Sequence, residues 1–246
     1  MGVFANIGAY YDALANSPGR LEREGRMLLR SLQNAPGNRV LDLACGTGLH
    51  AQFFAGHGAQ VTAIDRSESM IAWARTHRAH PSIRYAVGDM RAPEGGPYDL
   101  VVCLGNALAL LDSPEDRDRM FRRVAGALAP RGRFLVQMVN YAASGSGEPA
   151  QRVARMEVDG ANVVAVKNLV PEGSRTLLAL VFFVAHAPGE YTTHSDTAVL
   201  RHWSEGDLMH AAEQAGLARS WAVGDFGGVP YEEAGASDLI ICFSKV

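Results

Sequence analysis

Residues 40–48, VLDLACGTG, constrain this chain more than any other stretch. A largely apolar run suited to a buried strand ends in a tight glycine turn, and a helix-compatible segment follows at once. Strand-turn-helix units of this kind are how open α/β sheets present backbone to a nucleotide-like ligand. The turn is therefore the candidate cofactor site, and the rest of the chain is read outward from it.

By itself the turn is ambiguous, because Gly46-Thr47-Gly48-Leu49-His50-Ala51 also satisfies the G-x-G-x-x-G/A dinucleotide fingerprint. Asp42 decides between ligands. It stands at the end of the strand, four residues before Gly46, and a pyrophosphate seated on the turn would face its charge. Two like charges about 4 Å apart cost on the order of 4 kcal/mol near a protein surface. S-adenosylmethionine (SAM) has no phosphate, and its ammonium and sulfonium turn the same aspartate into an attraction. SAM is thus favoured over a dinucleotide; capping the next helix is the purely structural role open to Asp42.

At 246 residues, 48% hydrophobic and 20% charged, the chain can bury one α/β domain with an elaboration and is too short for two full-sized ones. Residues 1–246 are read as a single domain, with a cover segment at 1–36 and an insertion at about 142–200. The net charge is -3 and no Lys/Arg run reaches five, which points away from nucleic acid and anionic membranes and toward a small-molecule partner. Cys45, Cys103 and Cys242 are odd in number, lack C-x-x-C spacing and sit in apolar stretches, as reduced packing residues in a cytosolic protein do. The N-terminus has no secretory pattern, and Asn6 stands where a myristoylation signal wants Ser or Thr. The longest apolar run, 177–185, is too short to span a bilayer. A soluble cytoplasmic protein is expected, as monomer or homo-oligomer.

Tyr10, Tyr11 and Asp12 lie in a weakly patterned segment that ends at Ser17-Pro18, a helix-start signal. A helix to about 34 follows, with Leu21, Met27, Leu28 and Leu32 on its apolar side, until Ala35-Pro36-Gly37 stops it. From 40 the pattern alternates strand and helix, the rhythm of a parallel sheet. Strands are expected from 40 and over 60–64, 83–87, 98–104 and 133–139, with helices to about 57 and over 67–78 and 113–128, and a turn at Pro130-Arg131-Gly132. Over 140–200 the rhythm breaks. Apolar segments around 153–158, 163–170, 177–184 and 191–200 are joined by hairpin-type turns at Asp159-Gly160 and Pro171-Glu172-Gly173, which reads as an inserted antiparallel sheet. A helix over 204–215 and strands over 217–223 and 237–243 complete the body.

Acids close two further strands. Asp65 follows Gly48 by 17 residues, near the spacing of roughly twenty at which an acid meets a ribose in such sites, and can accept both ribose hydroxyls. In Gly88-Asp89-Met90, Asp89 can accept an adenine amino hydrogen while Met90 offers a polarisable surface to the ring. After the fourth strand, Gly105 lets backbone approach a ligand and Asn106 supplies an amide. His77 and His80 have no companions at metal-ligand spacing, so no metal is expected.

The ordered set of Asp42 with ACGTG, Asp65, Gly88-Asp89-Met90 and YDLVVCLGN resembles the motif series of class I SAM-dependent methyltransferases. More narrowly, YDLVVCLGNALALL, the Asn140-Tyr141 pair and Gly224-Asp225-Phe226 are similar to the glycine N-methyltransferase group. The resemblance runs from about Tyr10 to the C-terminus and is weakest over 142–198. It implies that the α/β body is a Rossmann-like seven-stranded methyltransferase sheet with an antiparallel seventh strand, around the antiparallel sheet inserted after the fifth. It also implies that Arg20 holds the SAM carboxylate, that Tyr11 or Tyr10 is an active-site tyrosine, and that Asn106 is an active-site asparagine. The expected cofactor contacts are Tyr11, Arg20, Asp42, Ala44, Gly46, Gly48, Asp65, Arg66, Met70, Gly88, Asp89, Met90, Leu104 and Gly105, with S-adenosylhomocysteine (SAH) as the product. Two positions depart from the group. Val139 replaces its arginine for the amino-acid carboxylate, and His202-Trp203 replace its paired tyrosines, so free glycine is not the expected acceptor.

Methyl transfer from a sulfonium is an in-line displacement, which leaves the protein to orient the nucleophile and stabilise the changing charge. A phenol or enol gains more from a base than an amine that arrives neutral, and His202 is the first choice by position, with packing beside Trp203 as its structural alternative. The expected catalytic set is Asn106, His202 and Tyr11. The expected acceptor is a small molecule larger than glycine, partly apolar or aromatic, methylated on nitrogen or oxygen, with Phe182, Phe183, Trp203 and Tyr231 available to its pocket. Arg152 or Arg155 is the alternative, as holder of an acceptor carboxylate. A SAM-dependent enzyme that does not methylate, such as a cyclase, or a non-catalytic SAM-binding regulatory module would keep the same cofactor motifs, and an NAD oxidoreductase is the fallback.

Overall fold

The computed structural model describes residues 7–15, 19–143, 148–187 and 189–245. Helices α1 (Gly8–Ala15) and α2 (Arg20–Gln33) precede β1 (Arg39–Leu43), α3 (Leu49–Gly56), β2 (Gln60–Asp65), α4 (Glu68–His77) and β3 (Ile83–Val87). Next come β4 (Tyr98–Cys103), α5 (Pro114–Ala127) and β5 (Leu128–Val139), then the hairpin series β6 (Ala150–Val158), β7 (Ala161–Glu172), β8 (Arg175–Ala187) and β9 (Glu190–Arg201). Helix α6 (Glu205–Gln214), β10 (Leu217–Val223) and β11 (Asp238–Lys245) follow. Ser67, Ser113 and Ser204 cap α4, α5 and α6, each accepting a hydrogen bond from a first-turn amide. The start signal at Ser17-Pro18 falls outside the described residues.

One sheet has seven strands in the order β10-β11-β5-β4-β1-β2-β3. Strands β1 to β5 run parallel, and β11 pairs antiparallel with both β5 and β10. Alternate residues feed two cores. Leu41, Leu43, Val101, Phe134 and Val136 pack on one face, and Val40, Leu100, Val102 and Leu135 on the other. Burial on both faces is why these strands read as nearly continuous apolar runs. The second sheet is the insertion, β6-β7-β8-β9, antiparallel throughout. Its inner face, including Val163, Ala165, Leu180, Phe182 and Leu200, packs with Ile7, Tyr10, Tyr11, Met70 and Ala109, joining the insertion to α1 and to the parallel body.

Three local readings change. Residues 8–15, weakly patterned in sequence, form α1. The β7–β8 turn is the two-residue Gly173-Ser174, with Gly173 at φ 57°, and Pro171 and Glu172 remain paired in β7. Residues 130–132 belong to β5, where Arg131 adopts φ 63° and the register against β4 jumps from Leu128 to Arg133.

Candidate active site

The carboxyl ends of β1 to β4 open into a cavity of about 920 Å3. It lies where the chain, having laid β2 and β3 on one side of β1, returns to lay β4 on the other, the point at which open α/β sheets bind ligands. Twelve of the expected cofactor residues line it: Tyr11, Arg20, Ala44, Gly46, Asp65, Arg66, Met70, Gly88, Asp89, Met90, Leu104 and Gly105. Ala44 and Asn106 hold left-handed φ angles of 53° and 65°. Strain of this kind, rare for residues with a Cβ, concentrates at ligand sites.

Asp65 sits at the tip of β2 and accepts from Gly46 N at 2.8 Å and Ser67 N at 2.8 Å. Burial raises its carboxyl above the ordinary range against these bonds. Each oxygen accepts one backbone hydrogen, which leaves lone pairs for further donors. Asp89 forms an ion pair with Arg91 at 2.6 Å, and Arg91 reaches Asp116 at 2.9 Å. Arg20 donates to Glu24 at 2.9 Å and to the Ala15 carbonyl at 3.1 Å. A Cβ on Gly105 would lie 3.3 Å from the Arg20 guanidinium, so glycine there gives the arginine its room. His50 Nε2 donates to Glu24 at 2.7 Å. Burial lowers the His50 pKa despite that bond, keeping the ring neutral, while the His50 bond and Arg20 outweigh burial at Glu24 and keep it ionised.

Asp42 and Gly48 lie behind the cavity wall and do not line it. Asp42 is buried, its Oδ2 has no partner, and burial followed by the charge of Asp65 pushes its pKa to about 8. It is therefore protonated near neutrality, and the repulsion expected of it acts only when it ionises. At Gly48, φ is 84° and a Cβ would meet Tyr85 Oη at 2.6 Å, so this glycine serves the packing of Tyr85.

Asn106 lines the cavity with its amide engaged: Oδ1 accepts from Val139 N at 2.9 Å and Nδ2 donates to Tyr141 Oη at 2.8 Å. His202 stacks on Tyr141 at 4.1 Å and bonds Thr176 Oγ1 at 2.8 Å, which places it off the cavity wall. Of the two tyrosines, Tyr11 faces the cavity, and Tyr10 packs on Phe182 and His194. The aromatic pocket expected at the acceptor end does not form. Phe182 is buried inside the inserted sheet and Phe183 lies on its outer face. The Arg117 and Arg201 guanidinium groups lie 4.7 and 5.3 Å from the centre of the Trp203 ring, and Tyr231 donates to Asn140. The inserted sheet instead contributes Leu178, Leu180, Leu200, Arg152 and Lys167 to the wall.

Sequence reasoning missed Glu24, His50 and two supports of the site. Arg78, buried beneath the glycine turn, binds Asp12 of α1 at 2.6 Å and the Thr47 carbonyl at 2.9 Å, and Thr47 Oγ1 donates to Asp12 at 2.6 Å. Gln137 accepts from Gly105 N at 2.7 Å and donates to Asp238 at 2.6 Å. The signals were present as an i,i+4 pair, Arg20 and Glu24, and as a lone glutamine inside the apolar run FLVQMV.

Seven strands with an antiparallel last member, an inserted antiparallel sheet and a cavity over the strand ends define the α/β methyltransferase fold. Residues 40–132 match the methyltransferase domain family. A ubiquinone biosynthesis O-methyltransferase of Xanthomonas campestris pv. campestris is 34% identical over 110 residues, 43% of this chain and 44% of that one. The chain thus spans under half the length of the curated relatives it matches. An S-adenosylmethionine-dependent methyltransferase from Clostridium acetobutylicum superposes with a TM-score of 0.80 at 19% identity, over 96% of both chains. An amino pentose methyltransferase from Micromonospora echinaspora, solved with SAM bound, gives 0.75 at 22% identity over 100% of this chain and 99% of that one. At such identities the likeness is one of fold. No helix among the described residues is long and apolar enough to cross a membrane.

Proposed function

We propose that this chain is a SAM-dependent methyltransferase that methylates a nitrogen or oxygen of a small molecule in the cytoplasm. The observation that carries the reading is convergence: the glycine turn, Asp65, Gly88-Asp89-Met90, Leu104-Gly105 and Arg20 line one cavity. The donor set fits the cofactor. Asp65 has lone pairs for two ribose hydroxyls, Met70 and Met90 offer surface to an adenine ring beside Asp89, and Arg20 is a cation for a carboxylate. When bound, SAM supplies a methyl group on a sulfonium.

The remaining chemistry belongs to the chain. Burial, opposed by Arg20 and reinforced by Asp65, raises the Tyr11 pKa, so its phenol is a hydrogen-bond donor and not a base. Tyr141, raised by burial, is held by Asn106 and backed by the His202 ring. His202 is thus a positioning residue, packed on the Tyr141 ring that holds the amide of Asn106. This favours a nucleophile that arrives neutral, such as an amine, over one that needs a proton removed. The relatives bear names of both kinds, a sugar N-methyltransferase on one side and an O-methyltransferase on the other. The cavity continues past Asn106 to Val139 and Leu200, which supports an enzyme with room for an acceptor over a non-catalytic SAM-binding module. Within the methyltransferases, the Asn140-Tyr141 pair and Gly224-Asp225-Phe226 support kinship with the glycine N-methyltransferase group.

Calorimetric titration with SAM, SAH and NAD tests the cofactor, and SAH release with an acceptor panel tests the transfer. Binding of SAM and SAH without NAD is the expected result. Binding of NAD in their place would overturn the reading.

A further inference from the structure

We propose that the acceptor end of the cavity holds an anionic group, a carboxylate or a phosphate, between Lys167 and Arg152 on the inserted sheet. The word acceptor rests on the methyltransferase reading above; the anion site is read from the residues alone.

The β6–β7 register sets Arg152 directly opposite Lys167. In an antiparallel sheet that brings their Cβ atoms to about 4.5–5.5 Å, and like charges so placed are destabilising. Strand alternation puts Lys167 on the face of Val163 and Ala165, toward the body and the cavity, and both cations line that cavity. Arg155, one pleat away beside Val164, falls on the opposite face. Among the described residues neither the Lys167 ammonium nor the Arg152 guanidinium has an ion-pair or side-chain hydrogen-bond partner.

The acids of the same cavity are already engaged. Asp112 pairs with Arg175 at 3.0 Å, Asp116 and Asp89 with Arg91, and Glu24 with Arg20 and His50, while Asp238 accepts from Gln137. In the row of residues across the inserted sheet, the next neighbour of Lys167 is Leu180, and Asp196 stands a further strand away, outside the cavity lining. The remaining acid of the lining, Asp65, accepts from Gly46 N and Ser67 N, and none of these acids pairs with the adjacent Lys167 and Arg152 side chains. Burial, then Arg152, lowers the Lys167 pKa, which is the response of a cation held among apolar walls beside a like charge.

Leu178, Leu180 and Leu200 complete this corner. An anion lodged between the two cations removes their mutual repulsion and gives each a charge-assisted hydrogen bond. The acceptor so described joins an anion to an apolar portion and a nucleophilic nitrogen or oxygen.

The test uses the full-length protein, with and without saturating SAH, titrated calorimetrically with benzoate, phenyl phosphate and benzyl alcohol. At least one anion is expected to bind ten-fold or more tightly than the alcohol, and the two anion arms tell carboxylate from phosphate. Lys167→Met combined with Arg152→Met should abolish that preference, Lys167→Arg should retain it, and SAM affinity should be unchanged in all variants. Equal binding of all three probes, no binding of either anion, or an anion preference that survives the double substitution would overturn the proposal. Loss of SAM binding with the anion preference intact would instead refute the methyltransferase reading and leave the anion site standing.

Discussion

Asp42→Asn turns a buried carboxyl into a measurement of how that site is held. One Asp42 oxygen has no partner, and burial, then Asp65, lifts the pKa from 3.8 to about 8. Between those values the folded protein keeps a proton that the unfolded chain has released. The native state binds the extra proton, so this residue lowers stability progressively as pH rises from about 4 to about 8 and adds no slope outside that window. At about 1.36 kcal/mol per pH unit, the interval from 3.8 to about 8 bounds the loss at about 6 kcal/mol. Relaxation and water penetration around the ionised group bring the observable part to about 2–4 kcal/mol. Asparagine keeps the shape and cannot ionise. Its unpaired amide costs about 1–3 kcal/mol at every pH, so the diagnostic is the slope and not the offset. Urea unfolding of parent and variant from pH 4 to pH 9 should show Asp42→Asn gaining about 2–4 kcal/mol relative to the parent across that range. Asp65 titrates in both proteins, and the difference reports Asp42 together with its repulsion by Asp65. A pH-independent difference would refute the reasoning and mean that Asp42 is ionised in the folded protein.

Asp65→Ala should weaken SAM by about 1.5–3 kcal/mol per charged hydrogen bond lost; parental affinity by calorimetry would remove Asp65 from the ribose site. Arg78→Ala removes the part-buried ion pair that ties Asp12 to the glycine turn while the Thr47 bond remains, and losing a charged hydrogen bond of this kind costs about 1.5–3 kcal/mol. A lowered denaturant midpoint together with weakened SAM binding is the expected outcome, and an unmoved midpoint would show that α1 is held by other contacts. His202→Gln should reduce turnover without shifting the acid limb of the kcat/KM pH profile, because the ring packs on Tyr141, the partner of Asn106; disappearance of that limb would make His202 the base.

The parallel body was legible because strands buried on both faces are written as apolar runs closed by glycine or acids. Residues 83–87 coincide with β3, and 40–48 locate the turn at the carboxyl end of β1. The insertion was legible from its alternation and from Asp159-Gly160, both with positive φ. Helix α1 was not, because its own pattern is weak: it is fixed by Asp12 on Arg78 and Thr47, and by Tyr10 on Phe182, partners far along the chain.

The sequence by itself determined the fold class and the ordered residues of the candidate cofactor site, since strand ends, glycine turns and terminal acids are local features that backbone geometry converts directly into position. Only the tertiary structure decided which of the nearby side chains face the cavity. Tyr11 was separated from Tyr10 by the packing of α1, Asp42 was withdrawn behind the wall by burial, and His202 was turned onto Tyr141. The aromatics of the later segments went to cores and surfaces while the register of β6 and β7 placed two cations side by side. Such outcomes depend on strand register and on contacts between distant segments, and a change of one residue in register would move Arg152, Lys167 and Phe182 to the other face of their sheet.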